Sequence, residues 1–336
     1  MTVFLKHSGA KVPLICGAMY PCSNPELIAA VAKAGGVGVI QPISMMFVHK
    51  WDLREGIRWI KAQTDGAIGF NALVEQSSKV YEQRMKAWVA IALEEGVRFF
   101  VSALGNPDWV VREVHARGGV VYHDVTELKW AQKALDAGVD GLICVNNRAG
   151  GHSGQRDPRA LYEELEGLGV PLVCAGGIGD AAGFVEALGM GYVAAQLGTR
   201  FIATEECRAH DDYKRAILRA SADDIVLTER LSGVPVSVIQ TDYVRQVGTK
   251  AGPIARRLLA HPKGKHLVRS LYSLRSVWQL KNASLKGSDH SEYFQAGRSV
   301  DDIGAVEPAG AIVERFEAAW RASLDGDPAR GEDRIT

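Results

Sequence analysis

Short apolar runs alternate with amphipathic stretches between residues 12 and 201 of the chain. Most of the runs follow a glycine that closes a helical pattern, as at 34–37 (Ala-Gly-Gly-Val) and 137–139 (Ala-Gly-Val). Glycine at this point supplies the left-handed C-cap of a helix, and a run rich in Val, Ile and Leu is typical of a strand that is buried on both faces. The pattern predicts eight strands, at 12–17, 37–40, 67–71, 97–102, 119–123, 140–145, 170–175 and 192–197.

The stretches between these runs have the 3.6-residue period of amphipathic helices, for example at 25–34, 78–94, 126–137 and 180–188. Eight strands that alternate with helices predict an α/β protein with a closed parallel (β/α)8 barrel, the TIM barrel. A doubly wound open sheet also alternates strands and helices, but it rarely contains eight such regular units. A last helical pattern at 308–323 is expected to pack on the outside of the barrel.

The segment 221–304 breaks this alternation. Helical patterns near 254–260 and 266–280 predict a small helical insertion after strand eight, so we assign 1–220 and 305–325 to the barrel and 221–304 to a helical lid. Ten Lys and Arg residues and no acidic residue lie between Arg245 and Lys286, whereas the whole chain has 39 basic and 39 acidic residues. The segment is either a solvated helical cap or a positively charged lid that attracts an anionic substrate.

Composition narrows the class of protein. The formal net charge is zero, which gives no global indication of binding to nucleic acid or to an anionic membrane. Five widely spaced cysteines without a CxxC pair predict a reduced, cytoplasmic protein rather than a disulfide scaffold. The sequence contains no uninterrupted apolar stretch of 18 residues and no signal-like start, and it predicts no membrane span and no metal site.

Glycines stand at the ends of predicted strands seven and eight, in 175–179 (Ala-Gly-Gly-Ile-Gly) and 196–199 (Gln-Leu-Gly-Thr). In barrels of this class a phosphate group commonly binds the loops after these two strands. Glycine lets the backbone approach an oxyanion, and the start of the next helix adds free N–H groups and a favourable dipole. The glycines could also serve only tight turns, but their occurrence at two consecutive strand ends favours a phosphate site.

Three other strand ends carry candidate functional residues. The loop after strand six, 146–154 (Asn-Asn-Arg-Ala-Gly-Gly-His-Ser-Gly), holds His152 between glycines, where it should open onto the ligand face. Histidine can accept or donate a proton near neutral pH, so we predict a catalytic role for it rather than a structural one. Residues 17–19 (Gly-Ala-Met) offer small positions against which a planar ring could lie, and Asn71 offers a hydrogen-bond donor and an acceptor.

Taken together, these segments resemble the nitronate monooxygenase (2-nitropropane dioxygenase-like) family of FMN-dependent barrels. The resemblance extends from Val12 to Phe201 and is most specific at 149–152, 175–178 and 196–199. It implies FMN as the cofactor, with His152 over the flavin as the catalytic acid/base. The predicted cofactor-binding residues are Gly17, Ala18, Met19, Asn71, Gly150, Gly176, Gly177, Gln196, Leu197, Gly198 and Thr199.

The chain departs from the family pattern in two places. Nitronate monooxygenases usually carry a glutamine and a glutamate shortly before the histidine, where this chain has Val145 and Arg148. The related quinone reductases have a lysine after strand five, where this chain reads Tyr-His-Asp at 122–124. The expected activity is oxidation of an alkyl nitronate with dioxygen. The alternative is an NAD(P)H-dependent flavin reductase acting on an enoyl-acyl-carrier-protein or a quinone.

The partners implied by this reading are a small-molecule substrate and either dioxygen or NAD(P)H as cosubstrate. A barrel lyase or isomerase without flavin would need a lysine or paired carboxylates at the strand ends, and the sequence offers no such candidate. The oligomeric state is left open, a homodimer included.

Overall fold

The computed structural model describes residues 2–75, 79–231, 233–250, 279–286 and 293–325. Its centre is a closed barrel of eight parallel strands in chain order, in which β1 pairs with both β2 and β8. This confirms the predicted (β/α)8 TIM barrel, and every predicted strand overlaps an observed one. The strands are β1 Leu14–Cys16, β2 Val37–Ile40, β3 Ile68–Val74, β4 Phe99–Leu104, β5 Val120–Val125, β6 Gly141–Val145, β7 Leu172–Ala175 and β8 Ala194–Leu197.

Helices surround the barrel and connect its strands. They are α1 Val3–Ser8, α2 Pro25–Lys33, α3 Leu53–Gln63, α4 Lys79–Glu94, α5 Asp108–His115, α6 Leu128–Asp136, α7 Pro158–Leu165, α8 Ala181–Gly189, α9 Thr199–Ile202, α10 Asp211–Arg219, α11 Asp242–Val247 and α12 Ala309–Asp325. Helix α12 is the predicted last helix, and it packs outside the barrel with Phe316 stacked on Phe184 of α8 at 5.3 Å between ring centroids.

The interior of the barrel is filled in layers. Because each strand is displaced along its neighbour, inward-facing side chains from alternate strands fall at the same height in sets of four. The pairing register gives these layers, from the N-terminal end upward, as Val37/Phe99/Gly141/Ala194, Ile15/Gly69/Tyr122/Val173, Val39/Val101/Ile143/Gln196 and Gly17/Asn71/Asp124/Ala175. The lower layers are apolar apart from Tyr122, and polar side chains enter only near the C-terminal end.

Helix α1 closes the N-terminal end of the barrel. Its Phe4 lies edge-on to Phe99 at 5.9 Å and to Tyr122 at 6.1 Å between ring centroids. The Nδ1 atom of His7 lies 3.1 Å from the Tyr122 hydroxyl, which gives this buried phenol a hydrogen-bond partner. The opposite, C-terminal end is therefore the one at which a ligand can enter.

The segment 221–304 differs from the prediction in its first part. Strands β9 (Ile225–Thr228) and β10 (Val236–Ile239) pair as an antiparallel two-stranded sheet before helix α11 begins. We predicted only helices here, because two four-residue runs are too short to show a two-residue period and are stabilised by pairing with each other. The predicted helix at 254–260 and most of the one at 266–280 lie outside the described residues, as do most of the ten basic residues.

Within the described ranges, all five cysteines are free and buried. None of the helices there combines the length and the hydropathy needed to cross a bilayer.

A buried histidine lies on the outer face of the sheet. His123 on β5 faces the helices, and its Nδ1 atom lies 2.8 Å from the Ser102 hydroxyl on β4. Burial lowers the pKa of His123 to about 4, because the charged imidazolium would lose its hydration there.

We expect His123 to make the fold sensitive to acid. Its pKa is lower in the folded chain than in the unfolded one, so its contribution to stability is complete above the unfolded pKa and is lost as pH falls toward 4. The free energy of unfolding should lose about 2 kcal/mol through this group between about pH 7 and 5. Urea unfolding of wild type and of His123→Gln measures this, since the variant cannot titrate and should lose less stability over the same range. Equal losses in both proteins would contradict the assignment.

Candidate active site

The uppermost layer of the barrel forms the floor of an open mouth. Gly17 and Ala175 occupy half of it with almost no side chain, and Asn71 and Asp124 occupy the other half with polar groups. Gln196 lies in the layer below, and a β-carbon placed on Gly17 would come within 2.9 Å of its Cγ atom. Glycine is therefore required at position 17 because the Gln196 side chain passes directly beside it.

The Gln196 side chain carries an orphaned polar atom. Its Oε1 is buried and accepts no hydrogen bond from any described residue. An unsatisfied buried amide oxygen costs about 1–3 kcal/mol. A ligand with an N–H or O–H donor over this side of the mouth would remove that cost.

Asn146 organises the loop that follows β6. It is fully buried, its Nδ2 donates to the Gly176 carbonyl at 2.9 Å, and its Oδ1 accepts from the Arg148 backbone N–H at 2.8 Å. Its own carbonyl accepts from the N–H of Gly154 at 3.2 Å, which closes the loop on itself. We assigned no role to Asn146 from the sequence. The available signal was an asparagine directly after a buried strand, a residue type that often bonds the backbone two residues onward.

Segments far away in the sequence hold the same loop from outside. Gly151 and Ser237 of β10 form a β-bridge, in which the Ser237 N–H donates to the Gly151 carbonyl at 2.7 Å. On the other side the Arg298 N–H donates to the Arg148 carbonyl at 2.8 Å. Gly150 lies so close to this segment that a β-carbon on it would come within 2.9 Å of the Gly297 nitrogen.

This loop carries His152. The residue is exposed, which agrees with the prediction that the loop opens onto the ligand face. Desolvation by the surrounding protein still lowers the pKa of His152 below its ordinary value. The imidazole is therefore neutral at neutral pH, which is the form that can accept a proton from a substrate.

The close approach of this loop explains why glycine occupies positions 176 and 177. Both have positive φ, 115° and 82°. A β-carbon on Gly176 would lie 2.6 Å from the Ala149 nitrogen, and one on Gly177 would lie 2.7 Å from Cδ of Arg148. These glycines let β7 pass beneath the loop after β6, and their predicted phosphate contacts would use backbone N–H groups. Helix α8 then begins at Ala181 and is capped by Asp180, whose carboxylate accepts from the Gly183 N–H at 2.8 Å.

Gly198 differs from these two glycines. Its φ is −114°, and the nearest atom to a β-carbon placed on it would be Sδ of Met19, at 3.7 Å. The described residues therefore leave room beside Gly198, as expected where a ligand approaches the backbone. Met19, also predicted in the site, is brought next to it because the loops after β1 and β8 are neighbours.

Two other predicted cofactor-binding residues are engaged within the protein. The Thr199 hydroxyl accepts from the Gly297 N–H at 2.9 Å. The Leu197 side chain packs in the core between sheet and helices, and its carbonyl accepts from the Gly17 N–H at 3.0 Å. Ala18 is partly buried against the barrel interior.

Asp124 is a site residue that the sequence reading missed. It faces into the mouth, its Oδ1 is buried without a partner among the described residues, and burial raises its pKa to about 7. From the sequence we considered residues 122–124 only because they lack the lysine that the related quinone reductases have there. The signal that could have found it is the two-residue alternation of a strand, since an inward Tyr122 makes Asp124 inward as well.

Comparison with known proteins identifies the family of the chain. A family profile described as nitronate monooxygenase matches residues 2–317 of the chain. The chain belongs to the nitronate monooxygenase family. It is therefore an enzyme of an oxidoreductase family, and the resemblance noted from the sequence is confirmed.

Members and neighbours of the nitronate monooxygenase family carry several names. A nitronate monooxygenase of Paraburkholderia phytofirmans is 30% identical over 268 residues, 67% of this chain and 72% of the relative. A (3aS,4S,5R,7aS)-5-hydroxy-7a-methyl-1-oxo-octahydro-1H-indene-4-carboxyl-CoA dehydrogenase of Mycobacterium tuberculosis is 29% identical over 256 residues, 74% of this chain and 70% of the relative. The structure of FabK from Thermotoga maritima superposes with a TM-score of 0.80 at 27% identity, covering 98% of this chain and 99% of FabK.

The contrast among the glycines yields a prediction. Gly198→Ala should leave the free energy of unfolding nearly unchanged, and it should weaken binding of the flavin that the family resemblance implies, because the new methyl group would enter the space expected for its phosphate. Gly177→Ala should lower the free energy of unfolding by about 1 kcal/mol or more, because its φ is positive and its β-carbon meets Arg148.

Flavin absorbance per chain and urea unfolding measure the two effects. Gly310→Ala is the control, since its β-carbon would lie 3.9 Å from the nearest atom, on Ala34, at the outside of the barrel. Full flavin occupancy in Gly198→Ala would place the phosphate away from β8.

Proposed function

We propose that this enzyme is an FMN-dependent nitronate monooxygenase, which oxidises alkyl nitronates with dioxygen. The observation that carries the proposal is an exposed histidine, His152, on the loop above a mouth in which buried oxygens of Asp124 and Gln196 lack partners among the described residues. Family membership and the Paraburkholderia relative support the same activity.

The residues at the mouth fit a flavin. The half of the floor formed by Gly17 and Ala175 accepts a flat ring, and the buried Oε1 of Gln196 requires a donor. Beside β8, the room at Gly198 and the start of α9 suit a phosphate, because the first N–H groups of a helix have no partner within it. When bound, FMN would supply the two-electron chemistry and the reaction with dioxygen, while the protein supplies position and proton transfer.

Residues of the chain would provide proton transfer, positioning of the loop and binding of an anionic group. An imidazole nitrogen of His152 takes the α-proton of a nitroalkane or orients the nitronate anion. Asn146 and the contacts from Ser237 and Arg298 fix the backbone of the loop, and with it the place from which His152 projects. Arg148 is exposed and forms no ion pair with a described carboxylate, which leaves its guanidinium available to an anionic group near α8.

A second candidate is oxidation or reduction of an acyl thioester, with NAD(P)H as the cosubstrate in the reductive direction. Two relatives, from Mycobacterium tuberculosis and Rhodococcus jostii, are named as dehydrogenases of a carboxyl-CoA. The carbon next to a thioester carbonyl is also acidic, so His152 would serve the same purpose. The ten basic residues between Arg245 and Lys286 complement the phosphates of such a carrier.

Anaerobic reduction of the purified holoprotein separates these candidates. An alkyl nitronate should bleach the flavin absorbance rapidly, while NADH, NADPH and a saturated acyl-CoA should not. Bleaching by NADPH or by the acyl-CoA alone would overturn the nitronate proposal in favour of the second candidate. A protein that binds no FMN would exclude both.

His152→Ala tests the proton-handling role. The variant should retain its flavin and lose turnover by roughly 10²–10⁴-fold, as is typical of a general acid/base. The loss should be smaller with a preformed nitronate than with the neutral nitroalkane, because only the latter must be deprotonated. An equal or larger loss with the nitronate would show that His152 binds the anion instead.

The pH profile of the wild type gives a further check on His152. Because its pKa is lowered, the neutral base persists below pH 6.5, and kcat/KM for the nitroalkane should fall only on the acid side of that value. The descent should be about tenfold per pH unit.

A further inference from the structure

The floor layer of the mouth has two unlike halves. Its four members come from β1, β3, β5 and β7, so Asp124 lies opposite Gly17 and between Asn71 and Ala175 around the barrel axis. One half is thus a pair of polar side chains, and the other half is nearly bare backbone. Such a floor suits a planar heterocycle with one polar edge, which Asn71 and Asp124 would meet together.

The second observation is that Asp124 lacks a partner. Its Oδ1 is buried and receives no hydrogen bond from any described group. A carboxylate left in this state is costly, and the group responds by binding a proton. Burial accordingly raises the pKa of Asp124 to about 7. As a neutral acid it can donate one hydrogen bond and accept another.

Among the residues that the structure describes, no cation compensates the Asp124 charge. Of the two neighbouring strands, β4 carries no titratable side chain, and the only one on β6 is the Cys144 thiol, which faces outward. The other titratable side chains on β5 are Tyr122 and His123. Arg148 and His152 belong to the loop above. The charged side chains of α5 and α6 lie on the far side of the sheet: Asp108, Arg112, Glu113, His115, Lys129, Lys133 and Asp136.

We propose that Asp124, in its protonated form, is a contact residue for the polar pyrimidine edge of the flavin ring, beside Asn71. The inference rests on the proposed FMN dependence, and it adds a residue whose protonation state controls the affinity for flavin. The protonated carboxyl donates a hydrogen bond to a carbonyl oxygen or ring nitrogen of that edge, and the Asn71 amide forms a hydrogen bond with the adjacent polar atom of the ring. Flavin binding then requires the proton on Asp124, so affinity is highest below the pKa of Asp124 and decreases above it.

The test measures flavin release from the full-length holoprotein, through the fluorescence of free flavin after dilution, between about pH 5.5 and 8.5. Riboflavin is exchanged for FMN in a parallel series, because it lacks the phosphate, which titrates in the same range. For wild type, riboflavin affinity should fall about tenfold for each pH unit above the pKa of Asp124. Asp124→Asn keeps a donor that cannot titrate, so its affinity should not change with pH.

The matched control is Asp140→Asn. Asp140 accepts from the Val121 N–H at 2.7 Å, at the opposite end of the barrel, so this variant should keep the wild-type pH dependence. If wild type binds riboflavin independently of pH, or if Asp124→Asn keeps the wild-type slope, the inference is wrong while FMN dependence stands. A wild-type protein that binds no flavin at any pH overturns the proposed function and this inference together.

A measurement on the wild type alone covers the case in which Asp124→Asn fails to fold. With ¹³C-labelled aspartate, the infrared C=O band of a protonated carboxyl should be present at low pH and should shift when flavin binds. A band that is absent, or one that flavin leaves unchanged, contradicts the inference.

Discussion

Eight parallel strands close into a barrel only when each is displaced along its neighbour, and this stagger decides which side chains reach the mouth. In this chain it brings Gly17, Asn71, Asp124 and Ala175 to one height, although more than 150 residues separate the first from the last. A one-residue slip of any strand would turn its inward side chain outward. The apolar layers below and the closure by α1 fix the register, and they thereby fix the composition of the floor.

Above the floor, the loop after β6 depends on contacts at both of its sides. Asn146 ties it to β7 from within, while Ser237 and Arg298 hold it from outside through backbone hydrogen bonds. Both outer contacts come from the segment after β8. This segment therefore contributes to the position of His152, whatever it also contributes to substrate binding. A change in β10 should reach the loop after β6 through the Gly151–Ser237 bridge.

The mouth also contains polar atoms that the described part of the chain leaves unpaired. Buried polar groups are nearly always hydrogen-bonded in folded proteins, so the unpaired oxygens of Gln196 and Asp124 mark this place as a candidate ligand site. Both stand at or just below the floor, and nearby Gly198 has room for a β-carbon at an ordinary contact distance from Met19. The same region thus has side chains that could form hydrogen bonds with a ring and backbone N–H groups that could bind a phosphate. A flavin nucleotide needs both.

The sequence by itself determined the barrel and most of its boundaries, because buried strands and amphipathic helices are local patterns with fixed periods. It also determined that the glycines and His152 stand at strand ends, and its motifs were specific enough to indicate the nitronate monooxygenase family. It did not reveal the β9–β10 sheet, since two short runs become strands only by pairing with each other.

Only the tertiary structure showed why each of these positions is occupied by glycine. Gly176 and Gly177 lie against the loop after β6, whereas a β-carbon on Gly198 would meet only Met19, at an ordinary contact distance, and this difference depends on neighbours that are distant in the sequence. The same holds for Asp124, whose Oδ1 is buried without a partner among the described residues because of what the other seven strands place around it. Burial and hydrogen bonding are properties of the packed barrel, and no local pattern records them.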